Sequence, residues 1–211
     1  MTQVLFWFAA ANALAYLFLT ARHASTLRTV TKTLSVAALA VIAGLAGLWV
    51  LCLALALCAA GDALLSRETD QTFMAGIGAF ALGHLAYIAV FLSHPASDLA
   101  LISAQILPLV MLIGLGVVMA ILLPPRAGEL KGPVLAYIPI ILGMGIAALA
   151  LPQSGALIWV FPAAMSFVAS DLILATEKFL LRPGHPLLRA TPYAVWPLYW
   201  GAQAGFVIAF V

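Results

Sequence analysis

The sequence predicts an all-α fold: a polytopic bundle of eight transmembrane helices forming a single domain over residues 1–211. Two observations carry that reading. Hydrophobic residues make up 65% of the chain and Asp, Glu, Lys and Arg only 8%, against roughly a quarter charged in an ordinary soluble domain, so there are too few polar groups to cover a globular surface in water. The nine Lys and Arg also recur at every second junction between apolar stretches, as they do when positive charge collects on one side of a membrane.

A helix needs about 20 apolar residues to cross about 30 Å of hydrocarbon. Spans at 3–20, 30–43, 46–66, 71–92, 98–122, 132–150, 155–178 and 191–211 meet that need with short loops between them. The first has no basic residue before its apolar run and Arg22 after it, which marks a membrane helix entering from outside rather than a cleaved signal. The second is short. Merging it with the third would give seven helices, but the unbroken run from Thr33 to Ala60 is too long for one crossing, and Gly44 and Gly47 offer a turn. In the fifth and sixth, "GLGVVMA" and "GMGIAALA" read as packing surfaces, since small residues let membrane helices approach closely. Pro108, Pro139, Pro162 and Pro197 fall inside predicted spans, where each is expected to remove a backbone hydrogen bond and bend its helix.

Eight helices place Arg22, Arg28 and Lys32, then Arg67, then Arg126 and Lys131, then Lys178, Arg182 and Arg189 on one side. Seven would break that parity after the second span. The charges therefore predict cytoplasmic basic loops with both termini outside, and short loops of this style suggest a plasma membrane.

The formal charge of +2 is explained by those loops, and no aromatic and basic interleaving points to nucleic acid. Cys52 and Cys58 lie in the third span without metal-binding spacing and read as small packing residues. A lone membrane histidine is far from the three protein ligands of a catalytic zinc, so no metal or other cofactor is implied. "GDALL" and "SDLIL" echo one another too briefly to establish a repeat.

The chemistry concentrates in a few polar residues inside the apolar spans. An ionised carboxylate in hydrocarbon costs several kcal/mol, so membrane acids face a cavity, pair, or take up a proton. Asp62 lies five residues before Arg67 and Asp171 seven before Lys178, so both acids are expected at similar depth near the basic side. In "FMAGIGAFALGHLAY", residues 73–87, Gly76, Phe80 and His84 share a helical face, with Gly83 and Tyr87 beside them. That face either offers proton-exchanging groups to a site or holds a neutral histidine bonded to another helix. In "WPLYWGAQ", Tyr199 and Gln203 are four apart and face the same way. An interfacial aromatic belt explains Trp196, Tyr199 and Trp200 but not the amide of Gln203. Lys32 opens the second helix. It snorkels to the surface, or it holds a lipid phosphate or an aspartate near the site. His23, His94 and His185 sit in loops, Glu177 and Lys178 form a boundary pair, and Asp98 caps the fifth span.

The order "TKTL", "GDALL", "FMAGIGAFALGHLAY", "FPAAMSFVASDLILATEKF" and "YWGAQ" resembles the YhhN-type lysoplasmalogenase family across nearly the whole chain. The resemblance carries an early lysine onto Lys32 and a Gly-Asp pair onto Gly61 and Asp62. The Phe, Gly, Phe, His and Tyr helix falls on Phe73, Gly76, Phe80, His84 and Tyr87. A Ser-Asp pair falls on Ser170 and Asp171 with Phe179 following, and the last aromatic and glutamine fall on Tyr199 and Gln203. Thr33 stands where proline often follows the lysine, a difference at a helix start that removes no chemical group. The resemblance implies an eight-helix membrane protein that hydrolyses the vinyl ether of a lysophospholipid to a fatty aldehyde and a glycerophospho-alcohol.

That reaction starts by protonating the outer alkene carbon and passes through an oxocarbenium ion, so it needs a protonated acid beside a carboxylate. Asp171 is expected as the acid and Asp62 as the stabiliser or base, in a cavity also lined by His84, Tyr87, Tyr199 and Gln203 and open toward the cytoplasmic leaflet. His84 and Tyr87 would orient water, and Tyr199 with Gln203 would position ether or glycerol oxygens. Lys32, Phe80 and Ser170 would contact the lipid. Buried acids on kinked helices fit equally a transporter or sensor of lipids or small solutes that couples protonation to movement.

Overall fold

In the computed structural model, which describes residues 1–67 and 69–211, the chain is helical and the described residues contain no strand. The helices are α1 (Thr2–Leu19), α2 (Thr26–Leu45), α3 (Trp49–Leu65), α4 (Asp70–Ser93), α5 (Ala100–Ala104), α6 (Ile106–Leu122), α7 (Lys131–Ala148), α8 (Val160–Phe179) and α9 (Thr191–Phe210). Eight of them run 17 to 24 residues, and α5 is a single short turn of 5. Among the described residues, six helical segments are long and apolar enough to cross a membrane, while α3 is apolar but shorter. The fold is an all-α, multi-pass membrane bundle.

The boundaries follow local chemistry. Helix α2 begins earlier than the apolar run because the Ser25 side chain accepts from the Arg28 amide at 3.2 Å and caps a polar first turn. Thr69 and Thr72 form a reciprocal capping box at the start of α4. The turn between α2 and α3 is made at Gly47, whose φ of 77° needs no Cβ to be accommodated. Gly44 stays within α2.

The fifth predicted span is broken rather than continuous. Gln105 leaves helical geometry at φ −105° and ψ 57°, and its side-chain amide donates to the carbonyls of Leu101 at 3.3 Å and Leu149 at 3.0 Å. Pro108 then occupies the third position of α6, and Pro162 the third position of α8. First-turn amides have no intrahelical partner to lose, so these two prolines begin helices instead of bending them. Only Pro139 in α7 and Pro197 in α9 are interior.

Contacts run in sequence from α1 through α2, α3, α4, α7, α8 and α9, and α9 closes on α1 and α2. These seven helices therefore form a ring. Helix α6 lies against α7 and presents Val110, Met111, Val117 and Ile121 outward, as a lipid-facing helix does. The ring is plugged at one end by aromatic rings. Tyr87 meets Phe206 at 4.5 Å between centroids, and Phe91 meets Phe206 at 5.3 Å and Phe210 at 5.9 Å. At the other end, near the basic connections, it stays open as a cavity.

Close approach of α3 and α4 shapes that open end. A Cβ on Gly61 would lie 2.7 Å from the Phe80 ring, and one on Gly76 would lie 1.9 Å from Leu65. Their absence lets Phe80 lean on the turn that carries Asp62, which places an apolar wall beside a carboxylate.

Candidate active site

The cavity measures about 240 Å³. Its polar side is built by α1, α2, α3 and α9, which bring Tyr16, Lys32, Asp62, Trp196 and Tyr199 to its wall. Its other side comes from α4, α7 and α8, which contribute Phe80, Tyr137, Ser170 and Asp171. Phe73, Ile77, Met119, Leu123 and Leu174 add an apolar lining, while Thr20, Arg28, Glu177 and Lys178 stand at the basic end. Such a space suits a molecule with a short polar segment and a hydrocarbon tail.

Asp62 is buried and held on both oxygens. Lys32 Nζ stands 3.0 Å from Oδ1, and the Tyr199 hydroxyl donates to Oδ2 at 2.7 Å. Lys32 is itself steadied by the Tyr16 ring, 5.8 Å from its ammonium. Tyr16 packs in turn on Trp196 at 4.3 Å, whose indole N–H donates to the Ala13 carbonyl at 2.9 Å. Of the two expectations for Lys32, the structure shows the aspartate partner.

Asp171 has a different environment. The Tyr137 hydroxyl donates to its Oδ2 at 2.5 Å, and the Ser170 hydroxyl lies 3.4 Å from Oδ1. Among the described residues, no Lys or Arg forms an ion pair with it, and no hydrogen bond joins it to Asp62. The two acids therefore face one cavity with unlike partners, an ammonium and a phenol for one and two hydroxyls for the other.

Tyr137 was not singled out in the sequence. Its side chain links Asp171 to His84, whose Nδ1 lies 3.4 Å from the Tyr137 oxygen and whose ring meets the Tyr137 ring edge-on at 5.5 Å. His84 does not line the cavity, and neither do Tyr87 and Gln203, contrary to the expectation for all three. The His84 Nδ1 proton is directed at the Phe80 carbonyl at 2.6 Å. This assigns the tautomer and leaves a buried Nε2 without a hydrogen-bond partner among the described residues. The Tyr87 hydroxyl donates to the Gln203 side-chain oxygen. Both are buried behind the cavity, joining α4 to α9. The bond holds both away from solvent and from direct contact with a ligand, while Gln203 Nε2 has no hydrogen-bond partner among the described residues.

Phe167 separates this inner layer from the cavity. Its ring packs against His84 at 4.5 Å and Tyr199 at 5.1 Å. Cys58, also buried, faces the Gly83 position, where an added Cβ would meet its sulfur at 2.9 Å, so it packs α3 on α4. The described residues contain no cluster of three metal-ligating side chains. His94 and His185 each accept from a nearby backbone amide in their own loops, and Asp98 accepts from the Ala100 amide at 2.9 Å.

A family model, that of the YhhN family, matches residues 27–210. The chain belongs to the YhhN family. No curated protein and no solved structure matches it. The matched region runs from the first turn of α2 to the end of α9, so it contains the whole ring except α1. Membership supports a lysoplasmalogenase-like hydrolase role at the level of the family, in a multi-pass membrane protein.

Proposed function

We propose that this YhhN-family protein hydrolyses the vinyl ether of a lysophospholipid, releasing a fatty aldehyde and a glycerophospho-alcohol. The observation that carries the reading is the asymmetry of the two acids, which face one cavity from its two sides. Asp62, ion-paired to Lys32 and bonded by Tyr199, is a fixed negative charge. Asp171, held by hydroxyls alone, is the group suited to carry and deliver a proton.

Asp171 gives its proton to the outer alkene carbon, and the double-bond electrons form the new C–H bond. Positive charge then develops on the carbon bound to the ether oxygen, shared with that oxygen. The Asp62 carboxylate stabilises this oxocarbenium ion, an effect strongest where water is excluded and the charge is already in position. Water adds to the cation and returns a proton to the Asp171 carboxylate. The resulting hemiacetal breaks its C–O bond to aldehyde and alcohol. Tyr137 holds Asp171 in place throughout, while Phe80, Ile77 and Leu174 border the alkenyl chain. His84 acts behind Tyr137 rather than on the lipid.

The basic end of the bundle is proposed to face the cytoplasm in the plasma membrane. Single cysteines introduced at Ser97 and Gly128 are then expected to label from opposite sides, and labelling of both from the same side would remove that topology. The activity itself is tested with purified protein and a 1-alkenyl lysophospholipid. Aldehyde is expected with catalytic turnover, and none from the 1-alkyl analogue, whose saturated ether has no alkene to protonate. Movement of intact lipid in proteoliposomes without aldehyde release would replace the hydrolase reading with transport.

A further inference from the structure

Beyond the cavity, the basic end carries a second depression of about 520 Å³. Arg22, His23, Arg28, Glu177, Arg189 and Tyr193 are on its wall. It adjoins the cavity, since Thr20, Arg28, Glu177 and Pro192 line both. Among the described residues on its wall, Arg22 and Arg189 bring two guanidiniums toward the single carboxylate of Glu177. Arg22 and Arg189 are exposed there, from the end of α1 and the turn before α9 respectively. Coming from two separate segments of the chain, they stand on the wall of one depression.

The chemistry of arginine narrows the ligand. A planar guanidinium fork matches the paired oxygens of a phosphate and binds them bidentately, as an ammonium does not. Lys32, the residue from which a phosphate contact was first expected, is ion-paired with Asp62 at 3.0 Å. The lining therefore offers arginine at the outer level and a lysine-bound aspartate at the inner one.

The spacing of those levels fits a glycerophospholipid. From Arg28 to Lys32 is four residues of α2, or about 6 Å along the axis. In a glycerol phosphate, five covalent bonds separate phosphorus from the oxygen on the far carbon, an extended distance of about 6 Å from ordinary bond lengths. A phosphate at the level of Arg28, which shares the depression with Arg22 and Arg189, thus brings the ether oxygen to the level of the Lys32–Asp62 pair.

We infer that the depression is a phosphate site, with Arg22 and Arg189 as its principal donors, and that it sets the depth at which a lysophospholipid presents its ether to the cavity. This inference rests on the lipid reading given above. It adds a binding site outside the reacting groups, and binding of an uncleavable ligand tests it apart from catalysis.

The experiment measures binding of a 1-O-alkyl lysophospholipid, a phosphate-free 1-O-alkylglycerol and inorganic phosphate to the purified full-length protein in detergent. The wild-type chain is expected to hold the lysophospholipid at least about tenfold more tightly than the alkylglycerol, the scale of a charge-assisted hydrogen bond. Arg22→Gln/Arg189→Gln is expected to remove most of that preference while leaving alkylglycerol binding intact, which also reports that the variant is folded. Arg22→Lys/Arg189→Lys should recover only part of it. The site is overturned if the glutamine variant keeps the full preference, or if wild type shows none. Inorganic phosphate binding as tightly as the lysophospholipid would overturn the lipid assignment in favour of free phosphate. Absence of aldehyde release from the alkenyl lipid, with the preference intact, would sink the hydrolase reading and leave this site standing.

Discussion

Asp171→Asn is expected to reduce aldehyde release from a 1-alkenyl lysophospholipid by at least about 100-fold, the lower end of what a positioned proton donor contributes. The replacement is nearly isosteric. Its amide oxygen can still accept from Tyr137, whose hydroxyl now donates to Oδ2 at 2.5 Å, so folding should be retained, and only the transferable proton is lost. Asp62→Asn is expected to match that loss by another route. It removes the negative charge that faces the developing oxocarbenium ion and leaves Lys32 beside a neutral amide. Tyr137→Phe should cost less, about tenfold, because it removes one hydrogen bond to the acid rather than the acid itself. Turnover by each purified variant, with helicity and thermal melting to confirm folding, separates the three. Near-normal turnover by either folded asparagine variant would eliminate the two-aspartate mechanism. His84 would then be the first residue to test, reached through Tyr137 at 3.4 Å.

The bundle was legible because lipid imposes a simple code. Apolar length gave the helices, and the alternation of basic junctions fixed their number where the run from Thr33 to Ala60 was ambiguous. The break at Gln105 was not legible, since it depends on an amide reaching Leu149, 44 residues away. Pro108 and Pro162 misled for a related reason. Proline has opposite meanings at the first turn and in the interior of a helix, and their positions relative to the helix starts decide which applies.

In the site, Asp62 and Asp171 stood out because a carboxylate in an oily stretch is conspicuous. Periodicity also grouped His84 and Tyr87 correctly on one side of a helix, but it does not say what lies opposite. Gln203 answers Tyr87 from 116 residues away and draws both behind the cavity. Tyr137 was hidden because a tyrosine near a membrane-helix end reads as an interfacial anchor. The available signal was faint. It lies in "GPVLAYIPI", residues 132–140, where a phenol two residues before the interior Pro139 sits among apolar neighbours.

Lys32→Met is expected to destabilise the folded protein by about 3–5 kcal/mol, the usual consequence of removing one partner from a buried ion pair. The Asp62 side chain is only 1% exposed and Lys32 is 15% exposed, so little solvent reaches Oδ1 to replace the lost ammonium. Tyr199 would remain on Oδ2, but one phenol does not neutralise a carboxylate. Adding Asp62→Asn to Lys32→Met should restore much of the stability, since the methionine stem keeps most of the apolar contact and the uncompensated charge is gone. It should not restore turnover, because the stabilising carboxylate is absent. Thermal melting in detergent of wild type, both single variants and the double variant forms a cycle whose interaction free energy isolates the pair. A lysine serving only as a phosphate ligand would give the opposite pattern: unchanged melting, weaker lysophospholipid binding and no interaction with Asp62→Asn. Observing that pattern would remove Lys32 from Asp62 and return it to the headgroup.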